Sequence, residues 1–253
     1  MKRIKKLLMR GILPMGVMAA GCGMAAVYDD VLKTPLERNS CMVGEHQFML
    51  LQPNVADLVI VTTDSLPGPE EPGVLLRVAA AFTGDDLRSV CGDHVVAGEL
   101  RRGYDDVTCT GHLLAVGTRV SIRPNSDLDA SVATAVKGGG YLFQQCLIVE
   151  DGVGRVERIP QAIRDREAHI IYRAACIMND GSFAVIQGID KMYCHEFIDG
   201  LVKLGVQQAL YLDMGTWAYG WCREHNGDPI VELAPHFDNT RYQSNWLVVR
   251  SCY

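Results

Sequence analysis

The chain has 253 residues, of which 48% are hydrophobic and 21% are charged, and its formal net charge is −6. This balance is typical of a globular protein and excludes a chain that is disordered throughout. The acidic net charge argues against general nucleic-acid binding, so we expect no nucleic-acid partner. Beyond the N-terminus, no apolar run approaches the roughly 20 residues that a transmembrane helix needs.

The N-terminus has the pattern of an export signal. Basic residues between Lys2 and Arg10 precede an apolar run that ends in Ala19-Ala20-Gly21-Cys22. The last four residues resemble a bacterial lipobox, whose cysteine becomes the lipidated first residue of the mature protein. We predict a signal peptide with a lipobox over residues 1–22, attachment to the membrane through a lipid on Cys22, and a place in the bacterial cell envelope or periplasm. An uncleaved anchor, or a plain signal peptide with a chance cysteine, remains an alternative.

Eight cysteines remain when Cys22 is set aside, an even number that permits disulfide bonds in an exported protein. Cys146 and Cys176 lie in apolar runs, which favours ordinary core packing. Cys91 and Cys109 flank a polar, loop-rich stretch. We therefore predict a disulfide bond, with Cys91 and Cys109 as the first pair to test.

A metal site has little support in the sequence. The cysteines are widely spaced and contain no Cys-x-x-Cys pair. His94 and His112 lie in loop-like stretches with Asp105 and Asp106 between them, so a site is conceivable. Histidines in loops are more often solvated, however, and we predict no metal site. The sequence indicates no particular cofactor.

Residues 23–45 are polar with mixed charge, which predicts an exposed leader, and residues 46–253 are predicted to form one domain. Short apolar runs rich in branched residues predict strands. These runs are Phe48–Leu51, Leu58–Thr62, Val74–Val78, Leu113–Val120 and Leu147–Val149. An Asp180-Gly181 turn between the apolar runs 170–177 and 182–186 predicts a hairpin.

Helices are few in this sequence. One is predicted over residues 193–204 from apolar residues at helical spacing, and another over 126–137 with Ser126 as its N-cap. No internal repeat is visible and no change in composition divides the chain after its leader. The fold class is therefore predicted to be α+β, a single domain with mixed or antiparallel sheets and few helices.

The segment from Gly205 to Trp217 holds the first candidate for function. Gly205 is a natural helix C-cap, and Ala209–Leu212 is an apolar run with the length of a buried strand. This run ends at Asp213. A charge at the point where a core strand emerges is costly unless it is paired or used, so Asp213 is a candidate catalytic residue.

Several motifs occur in the order that is typical of one family. They are Arg173-Ala174-Ala175, Asn179-Asp180-Gly181-Ser182-Phe183, the helix ending Leu204-Gly205, and Leu212-Asp213-Met214-Gly215. This order resembles the phosphodiester glycosidase family, which has an Arg-Thr-Ala strand, an Asp-Gly hairpin, a helix and a strand ending in Leu-Asp-Gly-Gly-Gly-Ser. Ala79–Thr83 lies where that family has Asn-Gly-Gly-Phe-Phe, and the likeness spans roughly residues 75–250. The family's glycine triplet and serine are here Met214-Gly215-Thr216-Trp217, which implies a divergent branch with a reshaped pocket.

The resemblance implies roles for two residues. Arg173 would hold phosphate oxygens with its guanidinium fork, and Asp213 would act as acid, base or nucleophile at an anomeric carbon. The standard glycosidase scheme needs a second carboxylate, for which Asp93, Asp180 and Glu196 are candidates and Asp93 is preferred. A buried ion pair between Arg173 and Asp213, with no role in chemistry, is the structural alternative.

Substrate-binding residues are predicted from the same resemblance and from the residue types. Thr83, Gln145 and Thr216 would supply polar contacts, and Trp217 would stack on a sugar ring. If the chain is extended there, Trp217, Tyr219 and Trp221 share one face, for which core packing is an equal alternative.

The sequence therefore predicts an exported hydrolase of sugar phosphodiesters or related glycoconjugates, with a carbohydrate or sugar phosphate as its substrate. The alternative is a surface lipoprotein that binds glycans in the same pocket without catalysis. Replacement of the family's glycine triplet favours this alternative.

Overall fold

Three antiparallel sheets make up most of the fold. The structure is a computed structural model that describes residues 34–54, 56–62, 71–164 and 170–251, with only the backbone described for 56–62. The predicted signal over residues 1–22, including Cys22, lies outside these residues. Within the described part of the chain, no helix is both long enough and apolar enough to span a membrane.

Seventeen strands follow one another along the described part of the chain. They are β1 (Leu36–Val43), β2 (His46–Pro53), β3 (Ala56–Thr62), β4 (Val74–Ala79), β5 (His94–Val96), β6 (Glu99–Arg101), β7 (Gly111–Val116), β8 (Arg119–Pro124), β9 (Tyr141–Gln145), β10 (Leu147–Glu150), β11 (Val153–Gly154), β12 (Arg173–Met178), β13 (Phe183–Gly188), β14 (Val206–Tyr211), β15 (Gly220–Cys222), β16 (Val231–Ala234) and β17 (Asn245–Ser251). The α-helices are α1 (Leu128–Gly138), the single turn α2 (Gln161–Arg164) and α3 (Cys194–Lys203). Short 3₁₀ turns cover Asn125–Asp127, Val156–Arg158, Gly215–Trp217 and Asp238–Tyr242.

The first sheet has seven strands in the order β1-β2-β13-β12-β14-β10-β11. The second has the order β16-β15-β4-β17-β3, and the third has the order β6-β5-β9-β7-β8. All pairings between these strands are antiparallel. The described residues from 34 onward belong to one compact unit, which confirms the predicted α+β class with few helices.

The main core lies between the three sheets. Leu51 of β2, Leu76 of β4, Leu113 of β7, Leu210 of β14 and Leu247 of β17 are all buried in it. Because one face of each sheet points into this core, alternate residues of each strand contribute to it. A polar residue on an inward position of these strands is therefore shielded from water.

A second core lies on the other face of the seven-stranded sheet, under α3. The apolar face of this helix presents Phe197 and Leu201, and the Phe197 ring stacks on Phe48 and Tyr172 with ring centroids 6.0 and 5.5 Å apart. The helix ends as its sequence predicts, because Gly205 follows it with φ +83°, a conformation that favours glycine. The chain then enters β14 directly.

The structure differs from three of the predicted boundaries. Leu36–Val43, placed in the leader, forms β1 and pairs along its whole length with β2, although half of its residues are exposed. The predicted strand Leu113–Val120 is two strands, because the chain turns at Gly117 between β7 and β8. In α1 the N-cap is Asp127 and Ser126 makes no cap bond, since a 3₁₀ turn precedes the helix.

Candidate functional site

Asp213 lies just beyond the C-terminal end of β14, in contact with the segment that follows β4. Its backbone N–H donates to the carbonyl oxygen of Ala80 at 3.0 Å, and its Oδ2 accepts the N–H of Thr83 at 3.4 Å. The side chain is only 5% exposed. Since β14 and β4 belong to different sheets, the carboxyl sits where two sheets meet.

The surroundings of Asp213 change its chemistry. Burial raises the pKa of this carboxyl to about 8, although the N–H groups of Thr83 and Met214 act in the opposite direction. No cation lies within ion-pair distance of it among the described residues. At neutral pH the Asp213 carboxyl therefore holds its proton and can donate it.

Polar groups from two loops surround this carboxyl. The Thr83 hydroxyl lies 3.1 Å from the hydroxyl of Ser244. Asn245, at the start of β17, holds the same segment: its Oδ1 accepts the N–H of Ala81 at 2.7 Å and its Nδ2 donates to the Ala81 carbonyl at 3.1 Å. Thr83, a predicted substrate-binding residue, therefore lies next to Asp213, in a segment that Asn245 holds through Ala81.

Tyr104 approaches the site from the loop closed by the disulfide bond. Burial raises the pKa of Tyr104 to about 12, and the charges of Asp106, Asp213, Asp85 and Asp86 raise it further in that order. Cε1 of the Tyr104 ring lies 3.2 Å from the position that a Cβ on Gly84 would occupy, which places the ring against the residue after Thr83. The predicted disulfide between Cys91 and Cys109 is confirmed, and it brackets the loop that carries Tyr104 and Asp106.

Arg173 does not pair with Asp213, so the predicted alternative of a buried ion pair between them is wrong. Ala174 pairs with Tyr211, and the Arg173 carbonyl accepts the N–H of Leu212 at 3.0 Å. Since side chains alternate along a strand, Arg173 points with Leu212 into the main core, whereas Asp213 follows Tyr211 on the other face.

The Arg173 guanidinium is fully buried and donates to uncharged acceptors. Nε and Nη2 both donate to Oε1 of Gln187, at 2.8 and 2.5 Å, and Nη1 donates to the Ala218 carbonyl at 3.1 Å. Burial lowers the pKa of Arg173 to about 9. In this arrangement the guanidinium ties β12 to β13 and to the chain before β15, and it is closed to a phosphate group.

The three candidates for a second carboxylate all have other partners. Asp93 forms an ion pair with Arg102. Asp180 accepts hydrogen bonds from the N–H and the hydroxyl of Ser182 in the hairpin turn. This turn lies at the far end of β12, on the order of 20 Å along the strand from the end near Asp213. Glu196 accepts the N–H of Tyr193 at the start of α3. The structure therefore does not bring Asp93, the preferred candidate, into contact with Asp213.

Among the described residues, the other predicted contact residues make no hydrogen bond to the carboxyl of Asp213. Gln145 is fully buried, and its Oε1 accepts the N–H of Cys146 at 2.8 Å, as in an ordinary core turn. Thr216 is exposed and accepts a bond from Asn239, and Trp217 is half-buried. Because Gly215–Trp217 is a 3₁₀ turn, the expected common face of alternate aromatic residues is not formed. Tyr219 and Trp221 pack in a separate core with Trp246, which is the alternative role predicted for them.

The two histidines also differ from their predicted loops. His94 lies in β5 and His112 in β7, and both are buried, which lowers the pKa of each imidazole. Their Nδ1 atoms lie 3.2 Å from the Gly92 carbonyl and 3.3 Å from Oδ1 of Asn125. In the described part of the chain, no three His, Cys, Asp or Glu side chains are grouped as a metal ion would require.

The sequence did not indicate Tyr104, Asp106 or Ser244 as site residues. None of them belongs to a recognisable motif. Ser244 contacts Thr83, and the Tyr104 ring lies against Gly84, so both reach the Thr83 segment from parts of the chain far away in sequence. The one available signal was the position of Tyr104 and Asp106 between Cys91 and Cys109, since a disulfide often orders the loop that it closes.

Comparison with known proteins gives a structural relationship and no relationship in sequence. No protein-family model matches the chain, and no curated protein matches it in sequence. The fold is similar to the zebrafish N-acetylglucosamine-1-phosphodiester alpha-N-acetylglucosaminidase catalytic domain auto-inhibited by pro-peptide, with a TM-score of 0.59 at 10% identity over 87% of this chain and 85% of that one. A hypothetical protein from Synechocystis gives a TM-score of 0.46 at 10% identity, over 85% of this chain and 61% of that one. At this identity, the first similarity shows a shared fold.

Proposed function

We propose that this protein is a hydrolase of sugar phosphodiesters in which Asp213 is the proton donor. The observation that carries the proposal is the buried carboxyl at the end of β14, whose pKa is raised to about 8. The fold shared with the zebrafish glycosidase domain supports the reaction class, since that domain is named for cleavage of a sugar phosphodiester.

The proposed reaction is cleavage of the bond between the anomeric carbon and the phosphate oxygen, with Asp213 as the proton donor. Water adds to the anomeric carbon, the bond from that carbon to the phosphate oxygen breaks, and the leaving oxygen takes the proton of Asp213. Sugar and a phosphate monoester are the products. A general acid contributes about 10²–10⁴-fold to such a reaction when its pKa lies near the working pH, which favours acid catalysis over nucleophilic attack for Asp213.

A second carboxylate would remove the proton of the attacking water. We assign this role to Asp106 because it follows Tyr104 by two residues in the loop closed by the Cys91–Cys109 disulfide, and the Tyr104 ring lies against Gly84, the residue after Thr83. Oδ1 of Asp106 accepts the N–H and the hydroxyl of Thr108 at 2.8 and 2.7 Å, which fixes the orientation of the carboxylate. Asp106 replaces Asp93 in the scheme.

The experiment measures release of sugar from aryl and alkyl sugar-1-phosphodiesters by the purified protein. We expect Asp213→Asn and Asp106→Asn to reduce kcat by about 100-fold or more. Asp180→Asn is the matched control, since this exposed carboxylate lies in the hairpin turn, and we expect it to leave kcat unchanged. Hydrolysis in ¹⁸O-labelled water should place the label in the sugar; label in the phosphate would refute cleavage at the anomeric carbon.

Glycan binding without catalysis is the second candidate, and the closed environment of Arg173 favours it. In that case a glycan array would show binding by the wild-type protein, while none of the phosphodiesters would be hydrolysed. This result would refute the hydrolase proposal.

Export remains part of the proposal. The Cys91–Cys109 disulfide is compatible with an oxidising compartment outside the cytoplasm. Labelling of cells with radioactive palmitate tests the lipid anchor: the protein should take up label, and Cys22→Ser should abolish the uptake. Absence of label from the wild-type protein would refute lipidation.

A further inference from the structure

An apolar cavity of about 420 Å³ lies next to the proposed proton donor. Met214 and Gly215, the two residues after Asp213, line one part of it, and Ile171 and Phe237 line another. Gly215 has φ +76°, which favours glycine, so the chain turns away sharply after Asp213 and leaves this space open. The lining of the cavity therefore begins at Met214, the residue directly after Asp213.

The lining of the cavity has a distinct chemical character. Among the described residues that line it, Lys191 is the one that carries a charge, and its side chain is exposed. Phe237 is 38% exposed, so apolar surface continues from the cavity to the solvent. The volume lies within the range of about 300–1,000 Å³ found for small-molecule sites.

This combination selects an amphiphilic ligand. An alkyl group gains free energy when it leaves water for an apolar wall, whereas a sugar would leave its hydroxyl groups without partners there. Lys191 attracts an anion to the mouth of the cavity, although the formal net charge of the protein is −6. An anionic group at the mouth and an apolar chain inside the cavity satisfy both features.

We infer that the cavity binds the apolar alcohol portion of an alkyl or prenyl phosphodiester, with the phosphate near Lys191 and the sugar at Asp213. This inference rests on the proposed function for the position of the sugar. The substrate would be a sugar joined through phosphate to a lipid-like alcohol. Hydrolysis breaks the bond between the anomeric carbon and the phosphate oxygen, adds the water oxygen to the sugar, and releases a protonated alkyl phosphate.

Binding is tested with decyl phosphate, decanol and methyl phosphate by isothermal titration calorimetry on the purified protein. Decyl phosphate should bind at least about tenfold more tightly than methyl phosphate, because only its chain fills the cavity. Phe237→Ser should weaken decyl phosphate binding about tenfold, and Lys191→Gln should weaken it about threefold without changing decanol binding. Tyr242→Ser, with a similarly exposed aromatic ring outside the lining, and Lys137→Gln are the matched controls and should have no effect.

The outcomes separate this inference from the proposed function. If decyl phosphate does not bind, or if the Phe237 variant binds as well as its control while both retain the wild-type circular dichroism spectrum, the inference is refuted. Equal kcat/KM for a sugar-1-phosphodecyl and a sugar-1-phosphomethyl ester refutes it as well, while the hydrolase proposal stands. Tight binding of decyl phosphate with no hydrolysis of either ester refutes the proposed function and leaves the cavity as a site for an anionic amphiphile.

Discussion

Replacing Asp213 by Asn should make the protein more stable at neutral pH, which is unusual for a proposed catalytic substitution. The side chain is 5% exposed and no cation is paired with it among the described residues, so the folded protein must keep the carboxyl neutral. Asn has nearly the same shape, carries no charge at any pH, and keeps an oxygen that can accept the N–H of Thr83.

The magnitude follows from the change in pKa. The pKa of the Asp213 carboxyl rises from 3.8 to about 8 on folding. Between these two values the unfolded chain has released the proton while the folded protein retains it, so stability falls as the pH rises from 4 to 8. One pH unit corresponds to about 1.4 kcal/mol, and the loss between pH 4 and pH 7 is therefore about 4 kcal/mol.

The assay is urea denaturation of wild-type protein and of Asp213→Asn at several pH values from 4 to 8. All other titrating groups are the same in both proteins, so the difference in unfolding free energy isolates Asp213. We expect the unfolding free energy of the variant, relative to that of the wild type, to rise steadily with pH and to level off above pH 8. Asp180→Asn is a control that should lower the unfolding free energy instead of raising it, because hydrogen bonds from Ser182 lower the pKa of Asp180 and so favour its charged form in the folded protein.

One result would refute this reasoning. If Asp213→Asn is less stable than wild type at pH 7, and if this deficit stays constant between pH 4 and pH 7, Asp213 is ionised in the folded protein over that range. A cation or a set of strong donors would then face it, and its role as a proton donor would have to be given up.

Three further outcomes are expected. The kcat/KM for a sugar phosphodiester should fall as the pH rises through about 8, because Asp213 loses the proton that it donates; a profile that rises there would indicate a base instead. Replacing Cys91 and Cys109 together by Ser should lower the unfolding free energy by about 3 kcal/mol, measured by urea denaturation, since the bond closes a loop with a sequence separation of 18. Arg173→Ala should cost about 3 kcal/mol, because it leaves buried acceptors without donors, whereas the exposed Arg241→Ala should change the unfolding free energy by less than about 0.5 kcal/mol. A large rise in KM for Arg173→Ala with unchanged stability would instead support a phosphate-binding role.

Local patterns predicted the elements around the site correctly. The Asp-Gly turn between two apolar runs gives the hairpin of β12 and β13, in which Oδ1 of Asp180 accepts bonds from Ser182. Apolar residues at helical spacing followed by Gly205 give α3 and its end. These features depend on neighbouring residues, so their signals are present in the sequence itself.

Predictions that combined distant residues were less reliable. Arg173 begins β12 and Asp213 follows the end of the adjacent strand β14, but the pairing of Ala174 with Tyr211 puts their side chains on opposite faces of the sheet. A shift of one residue in this pairing would have placed them on the same face. The order of apolar and polar residues within each strand does not specify which residues pair across the two strands.

The sequence by itself determined that an acid stands at the end of a buried strand, and it located Asp213 there. Only the tertiary structure decided what lies around this acid: the Thr83 segment bonds to it, the Tyr104 ring packs against that segment, and an apolar cavity begins at the next residue, Met214. The reason is physical. The strand and its end follow from the hydrophobicity and turn preferences of consecutive residues, whereas the partners of a side chain depend on strand register and on the packing of segments that are more than 100 residues apart.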